Sequence, residues 1–158
     1  MIFVLNAAIV VATFLFMEFV AWFTHKYVMH GFLWNIHRDH HQGSPGFFES
    51  NDLFFLVFAI PGWLFTMFGV IHGLDWKLYV GIGMILYGIA YFLVHDVIIH
   101  ERFKWLRNWN PFYVKAIKRA HKMHHKHLDR HEGESFGMLW AGKKYRDMVR
   151  NKKSLLDS

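Results

Sequence analysis

The chain has 158 residues, 54% hydrophobic and 19% aromatic, which suits one domain but exceeds the apolar content of most soluble ones. It has no cysteine, so disulfides and thiolate metal sites are excluded, yet it has 13 histidines. The net charge of +6 does not indicate nucleic-acid binding, because 15 of the 18 lysines and arginines follow His95, where basic residues beside apolar spans are typical of a membrane protein.

The first apolar segment, 2–24, predicts a transmembrane helix, because about 20 residues rising 1.5 Å each cross the hydrocarbon core of a bilayer. A cleaved signal peptide needs a basic region before the apolar stretch and small residues after it, and the sequence has neither, so we expect a retained helix. Its one charge is Glu18, and a carboxylate inside a span is by default a functional candidate. Glu18 shares a helix face with His25, so it could bond a histidine or line a substrate entry.

Two further apolar segments, 53–71 and 76–94, predict a membrane hairpin joined by a short polar turn at 72–75. Small residues at helical spacing in the second segment let helices pack closely in lipid, but they could equally clear space for a slender apolar ligand. These residues are Gly81, Gly83 and Gly88.

Three crossings put segments 25–52 and 95–140 on one side of the membrane, and the lysine and arginine count predicts that this side is cytoplasmic. The stretch 112–125 follows an Asn-Pro pair and predicts a basic amphipathic helix at the interface, and 141–158 is a polar tail. The sequence thus predicts a single all-α integral membrane domain, with about three to four transmembrane helices and a cytoplasmic helical cap carrying a histidine-rich di-metal site.

Ten of the thirteen histidines follow one spacing twice, a pair at i and i+5 followed by a triplet at i, i+3 and i+4. The first set is His25, His30, His37, His40 and His41, and the second is His95, His100, His121, His124 and His125. Each pair lies at the end of a predicted span, so all ten are expected on one membrane face. Histidine runs also occur as pH sensors or adventitious metal tracts, but a duplicated spacing of this kind favours a site.

On an α-helix, positions i, i+3 and i+4 share one face, so each triplet should project together. Positions i and i+5 are about 140° apart, so the members of each pair should diverge, reaching different metals or one metal from a bent helix end. Ten imidazoles would supply two metals with about five ligands each and leave positions for water or oxygen. His72, in the turn on the opposite side, is assigned no role.

Imidazole binds zinc, copper, iron and nickel, so ligand type alone does not identify the metal. Structural zinc takes four ligands, and ten imidazoles therefore fit a pair of non-haem irons better. Carboxylates close to the histidines are candidates to hold the second ring nitrogen of a ligand. Besides Glu18, they are Asp39, Asp96 and Glu101.

The chain resembles the bacterial β-carotene 3-hydroxylases of the membrane fatty-acid hydroxylase superfamily. The resemblance runs from the first span to about Trp140 and rests on HKYVMHG (25–31), HRDHH (37–41), HDVIIHERF (95–103), HKMHH (121–125) and ESFGMLW (134–140). It implies two non-haem iron ions, O2 as cosubstrate and electrons from a ferredoxin-like donor. It also implies that the ten histidines are the iron ligands, whereas His127 and His131 lie outside the common pattern and are either extra ligands or tail residues.

The implied reaction is hydroxylation at C3 of a β-ionone ring, converting β-carotene through β-cryptoxanthin to zeaxanthin. The apolar substrate would enter from the bilayer, and the site would face the cytoplasm from a bacterial inner membrane. The basic region 102–126 would either dock the donor or lie against lipid headgroups. Other interpretations are a fatty-acid or sterol hydroxylase or a desaturase of the same superfamily, and, outside enzymes, a haem-binding or zinc-binding membrane protein.

Overall fold

The computed structural model describes residues 1–43, 46–131 and 133–156, and within these ranges the chain is helical throughout its regular structure. Six α-helices are α1 Ile2–Phe23, α2 Trp34–Gln42, α3 Phe55–Ile71, α4 Trp76–Phe92, α5 Phe112–His124 and α6 Lys143–Leu156. Two π-helical segments, Thr24–Phe32 and Leu93–Ile99, continue α1 and α4. Short 3₁₀ turns occupy Ser50–Phe54 and Lys104–Leu106.

Three continuous helices are long and apolar enough to cross a membrane: Ile2–Phe32, Ser50–Ile71 and Trp76–Ile99. The predicted all-α fold with about three spans is confirmed. Large apolar side chains on these helices, such as Phe3 (84% exposed) and Trp63 (60% exposed), would face lipid. Each span is longer at its histidine end than the sequence predicted, because a π-helix or a 3₁₀ turn extends the α-helix there.

The hairpin of α3 and α4 is closed at its turn by backbone-to-backbone contact, which glycine permits. A Cβ added to Gly81 would come within 2.5 Å of the Thr66 nitrogen, and one added to Gly69 would collide with the backbone of Leu78. Gly83 plays the same part between α4 and α1, where an added Cβ would lie 2.7 Å from Thr13 Cβ. For these positions the close-packing interpretation is therefore the right one.

A buried cluster of Met17, Ala21 and Tyr87 joins α1 to α4 on the side of the histidines. Glu18 lies beside this cluster, where its carboxylate accepts hydrogen bonds from the Tyr87 hydroxyl (2.8 Å) and from the Met138 and Leu139 amides (both 2.9 Å). This half-buried carboxylate thus holds the C-terminal segment against the first span.

The cap is built by α5, which begins at Phe112 as predicted, and by α6, which packs on it around the fully buried Ala116 and Ala141. Composition alone described 141–158 as a polar tail. The structure forms α6 within this segment, where Tyr145 and Val149 supply an apolar face that the surrounding charges obscure in the sequence.

The packing of α3 against α4 leads to a stability prediction. We expect Gly81→Ala to lower the free energy of unfolding by about 1–3 kcal/mol, the usual cost of overpacking, since the methyl group has no room beside Thr66. Gly88→Ala is the matched control on the same helix, because nothing lies within 4 Å of its added Cβ. Thermal unfolding in detergent measures both, and equal unfolding temperatures for the two variants would contradict the packing account.

Candidate metal centre

Each histidine pair lies on a π-helical segment, and the π-helical geometry determines the direction of the two side chains. In a π-helix the backbone bond joins residues i and i+5, as His100 N does to His95 O at 2.9 Å, so these residues stack on the same face. The ring centroids are 5.2 Å apart for His25 and His30 and 4.4 Å apart for His95 and His100. The expected divergence of about 140° was therefore wrong, because it assumed α-helical geometry.

The two triplets lie on α2 and α5, as their spacing predicted. Each is shared between two groups of histidines whose ligand nitrogens lie within 4.8 Å of one another. We name them cluster 1 and cluster 2. Cluster 1 is His25, His30, His37, His41 and His124, and cluster 2 is His40, His95, His100 and His121.

The tenth histidine, His125, lies between the clusters. Its ring centroid is 4.5 Å from those of His41 and His121 and 4.6 Å from that of His40. Its Nε2 is buried and has no hydrogen-bond partner in the described part of the chain. The structure thus brings all ten predicted histidines together, and eight of them are less than 9% exposed.

In cluster 1 the outer ring nitrogens are fixed mainly by backbone carbonyls. Nδ1 of His25 donates to Phe136 O at 3.0 Å, that of His41 to His127 O at 2.9 Å, and that of His124 to Glu134 O at 2.9 Å. A carbonyl oxygen only accepts, so Nδ1 carries the proton in each of these rings and Nε2 keeps a bare lone pair. Every such Nε2 points to the middle of the cluster.

The pair of His30 and His124 tests whether a metal fits. Nδ1 of His30 donates to Arg130 O, so both rings present bare Nε2 atoms, and these are only 3.2 Å apart. Two lone pairs at this distance repel each other unless a cation lies between them. Nitrogens bound at about 2.1 Å to neighbouring positions of one metal lie about 3 Å apart, so the spacing is that of a ligand pair.

A proton is a poor candidate for that cation. Burial, together with repulsion from neighbouring rings, lowers the pKa of His37 and of His124 to about 2 and that of His125 to about 3. These rings are therefore neutral at pH 7, which is the form that binds metal. The donor set contains nitrogen alone, in agreement with the absence of cysteine.

Cluster 2 differs from cluster 1 because carboxylates lie against the Nδ1 atoms of two of its four histidines. Glu49 Oε2 accepts from His40 Nδ1 at 2.7 Å, and Asp96 Oδ2 lies 3.4 Å from His95 Nδ1. Arg102 ties these acids together, at 2.9 Å from Asp96 and 3.4 Å from Glu49. A carboxylate bonded to Nδ1 makes the Nε2 of an imidazole a more basic metal ligand than a carbonyl does. The ligands of cluster 2 therefore differ in basicity from those of cluster 1.

Two side chains that bond the Nδ1 atoms of cluster histidines were missed in the sequence analysis. Glu49 bonds His40, and Asn51 Oδ1 accepts from His37 Nδ1 at 2.6 Å. Both stand at the start of the second span, where Glu49 and Asp52 form a reciprocal capping box. That capping pattern is visible in the sequence, but nothing local indicates that it folds back onto α2.

The predicted carboxylates have different surroundings. Asp96 approaches His95, whereas Asp39 accepts from Ser50 N at 2.6 Å and Glu101 pairs with Lys118 at 3.0 Å. Glu18 bonds Tyr87 and the C-terminal segment, as described above. Of the four candidates, only Asp96 is placed against a ring of the ten histidines.

The three remaining histidines lie outside the clusters. His72 caps the far end of α3 by a 2.7 Å bond to Phe68 O, and His131 is exposed and accepts from Arg130. His127 contributes its backbone carbonyl to His41 rather than its ring. These three thus lie apart from the ten that share the repeated spacing, of which nine form the clusters and His125 lies between them.

An apolar cavity opens onto both clusters from the membrane side. It is bounded by α1, α3, α4 and the segment around Phe136, and His25 of cluster 1 and His95 of cluster 2 both line it. Half of its lining residues are phenylalanine or tyrosine, among them Phe47, Phe54, Phe58, Tyr91, Phe92 and Phe103, and Asp52, Asp96 and Arg102 line it as well. A ligand in this cavity would touch both groups of histidines at once.

Fold and site define an all-helical membrane protein with a histidine-rich metal centre. The chain belongs to the fatty acid hydroxylase family, whose profile matches residues 10–142. It is a hydroxylating oxidoreductase, and the family together with the clusters indicates that it uses metal.

Among similar proteins is the beta-carotene hydroxylase of Pseudescherichia vulneris, 42% identical over 87% of this chain and 78% of the relative. The beta-carotene hydroxylase of Pantoea ananas is 40% identical over 89% and 80%. The chloroplastic beta-carotene 3-hydroxylase 2 of Arabidopsis thaliana is 36% identical over 88% of this chain but only 46% of its own length. No solved structure gives a significant match.

The Glu49 contact generates a prediction about metal affinity. We expect Glu49→Gln to weaken metal binding about 10- to 100-fold at one of two sites, because His40 loses the carboxylate that orients it. Glu101→Gln is the matched control, since Glu101 pairs with Lys118 and Arg107. Titration of the metal-free protein with Co(II), followed by its absorption, measures both variants. A Glu49→Gln titration identical to wild type would contradict the assigned role.

Proposed function

We propose that this chain is a β-carotene 3-hydroxylase, which converts β-carotene through β-cryptoxanthin to zeaxanthin with O2 and external electrons. The observation that carries the proposal is the aromatic cavity in contact with both histidine clusters, since it offers an apolar ring a place beside the metal centre. The names of the similar bacterial and plant proteins support the choice of a carotenoid.

The ten histidines are proposed as the ligands of two non-haem irons, one at each cluster. Five ligand nitrogens converge at cluster 1 and four at cluster 2. With His125 the two clusters share ten imidazoles, whereas two closed zinc sites would need only eight ligands. His125 is assigned to the centre as well, because its buried Nε2 needs a partner and lies among rings of both clusters. His72, His127 and His131 are left out of the ligand set.

The C–H bond to be oxidised offers no handle for acid–base catalysis, and when bound the iron supplies the reactivity towards O2. The residues of the chain do the rest. The aromatic wall holds the substrate ring next to His25 and His95 and keeps water from the centre. Oxygen acceptors on Nδ1 orient seven of the ten imidazoles, namely those of His25, His30, His37, His40, His41, His95 and His124, and so keep these rings in place during turnover.

The clusters are proposed to face the cytoplasm of a bacterial cell from its inner membrane. Support comes from the basic residues: of the 18 lysines and arginines, Lys77 alone lies at the turn between α3 and α4, opposite the clusters. On α5 the exposed Lys115, Arg119 and Lys122 share one face, which suits an acidic, ferredoxin-like electron donor.

The product test is direct. In cells that make β-carotene, the wild-type chain should yield β-cryptoxanthin and zeaxanthin, and His40→Ala or His124→Ala should abolish both products by removing a ligand from one cluster. His72→Ala is the control and should keep wild-type product levels, because its ring lies at the far end of α3. Chromatography of the pigments gives the readout.

Three results would contradict the proposal. Absence of hydroxylated carotenoid from wild-type cells, with oxidised fatty acids or sterols instead, would favour another reaction of the same family. Full activity of His40→Ala or His124→Ala would remove the ligand assignment. A haem absorption band, or zinc in place of iron in the active protein, would remove the proposed cofactor.

A further inference from the structure

We propose that an apolar groove between α3 and α4 is the track that binds the polyene chain of the substrate, and that Gly88 keeps this track open. The inference rests on the proposed function, since it names where the long part of a carotenoid lies while its ring is in the cavity. It assigns a binding role to residues that touch neither cluster.

The groove is almost wholly apolar and runs along the lipid-facing side of the hairpin. Beyond the cavity its walls are formed by Ala59, Trp63, Thr66, Met84, Ile85 and Ile89. From Phe55 to Thr66 it extends along α3 for 11 residues, or about 16.5 Å at 1.5 Å per residue. A ligand in it would be held between two helices and open to the bilayer.

Groove and cavity adjoin each other. Phe55, Phe58, Gly88 and Phe92 line both of them. A chain lying in the groove therefore ends next to the cavity that His25 and His95 line. This shared border distinguishes the groove from an ordinary lipid-facing surface.

The shape of the hairpin explains why the groove exists. Near the turn, the helices are held together at Gly69 and Gly81, where no side chain would fit. At Gly62, halfway along, an added Cβ would still approach Met84 Cβ to 3.3 Å. At Gly88, near the clusters, it would meet nothing within 4 Å, so the space beside this residue is open.

Gly88 thus differs from the other glycines of α4, which are needed for packing. Its position needs no glycine for contact with a neighbouring helix, yet a large side chain there would fill the junction of groove and cavity. The sequence left two explanations open for these glycines. The structure shows that both explanations apply, each to different glycines. Gly81 and Gly83 allow close helix contact, whereas Gly88 leaves a space.

The occupant we assign is a rigid, straight polyene. Flat aromatic side chains, Phe58, Trp63 and Phe92, line the groove and can pack face-on against a planar conjugated chain. The slot is open along its length, so a molecule much longer than the cavity can bind with its far end in lipid. A lipid acyl chain is the competing occupant, and the test below separates the two.

The test uses Gly88→Phe in the full-length, metal-loaded protein. Binding of β-carotene to the detergent-solubilised protein, followed by its absorption, should weaken at least tenfold, and hydroxylated product should fall in parallel. Metal content and unfolding temperature should stay at wild-type values, because Gly88 contacts no histidine of either cluster. Gly88→Ala should bind β-carotene nearly as wild type does, since a methyl group fits the space.

Leu86→Phe is the matched control. Leu86 is 44% exposed and lies two residues away, about 200° around the helix from Gly88, so the same bulk is added outside the groove. Its β-carotene binding should equal that of wild type. If Gly88→Phe loses metal or fails to fold, Ala59→Phe blocks the groove from the α3 wall and replaces it in every measurement.

Unchanged β-carotene binding by a folded Gly88→Phe or Ala59→Phe protein would overturn the groove assignment. Failure of wild type to bind β-carotene, with lipid retained in the groove, would overturn the choice of occupant. If wild type binds β-carotene with the predicted dependence on Gly88 but forms no hydroxylated product, the groove stands and the proposed reaction fails.

Discussion

Bare imidazole nitrogens forced close together are the constraint on which the rest of the structure depends. His30 and His124 each give their one ring proton to a backbone carbonyl, which leaves two lone pairs facing each other at 3.2 Å. Burial keeps the pKa of His124 far below neutral, so protons do not relieve the repulsion. The arrangement is favourable only around a metal ion, and the surrounding helices and loops hold the imidazoles in this arrangement.

The groups that hold the imidazoles come from segments far apart in the chain. Glu18 anchors the segment after Gly133 to the first span, and this segment supplies the carbonyls of Glu134 and Phe136 to cluster 1. The start of the second span supplies Glu49 and Asn51. A carboxylate inside a span is costly, and the bonds from Glu18 to Met138 and Leu139 offset that cost by holding the segment that lines cluster 1.

The sequence was sufficient to predict the class of fold, the three spans and the ten histidines that meet. It was insufficient to predict that the two histidines of a pair lie side by side. Residues i and i+5 diverge on an α-helix but share a face on a π-helix, and the backbone bond from His100 N to His95 O shows that the π-helix applies. Glu49 and Asn51 were missed because they lie 9 and 14 residues from the histidines they contact, and no local pattern indicates these contacts. Gly88 and Gly81 look alike in sequence and differ only in what surrounds them.

The central claim is that two metals are held by imidazole nitrogen alone, and X-ray absorption at the iron edge of the purified, iron-loaded chain tests it most directly. We predict two irons per chain, each with a first shell dominated by nitrogen at about 2.1 Å and with the outer-shell scattering of several imidazoles. One iron per chain, or a first shell of mostly carboxylate oxygen, would contradict the account.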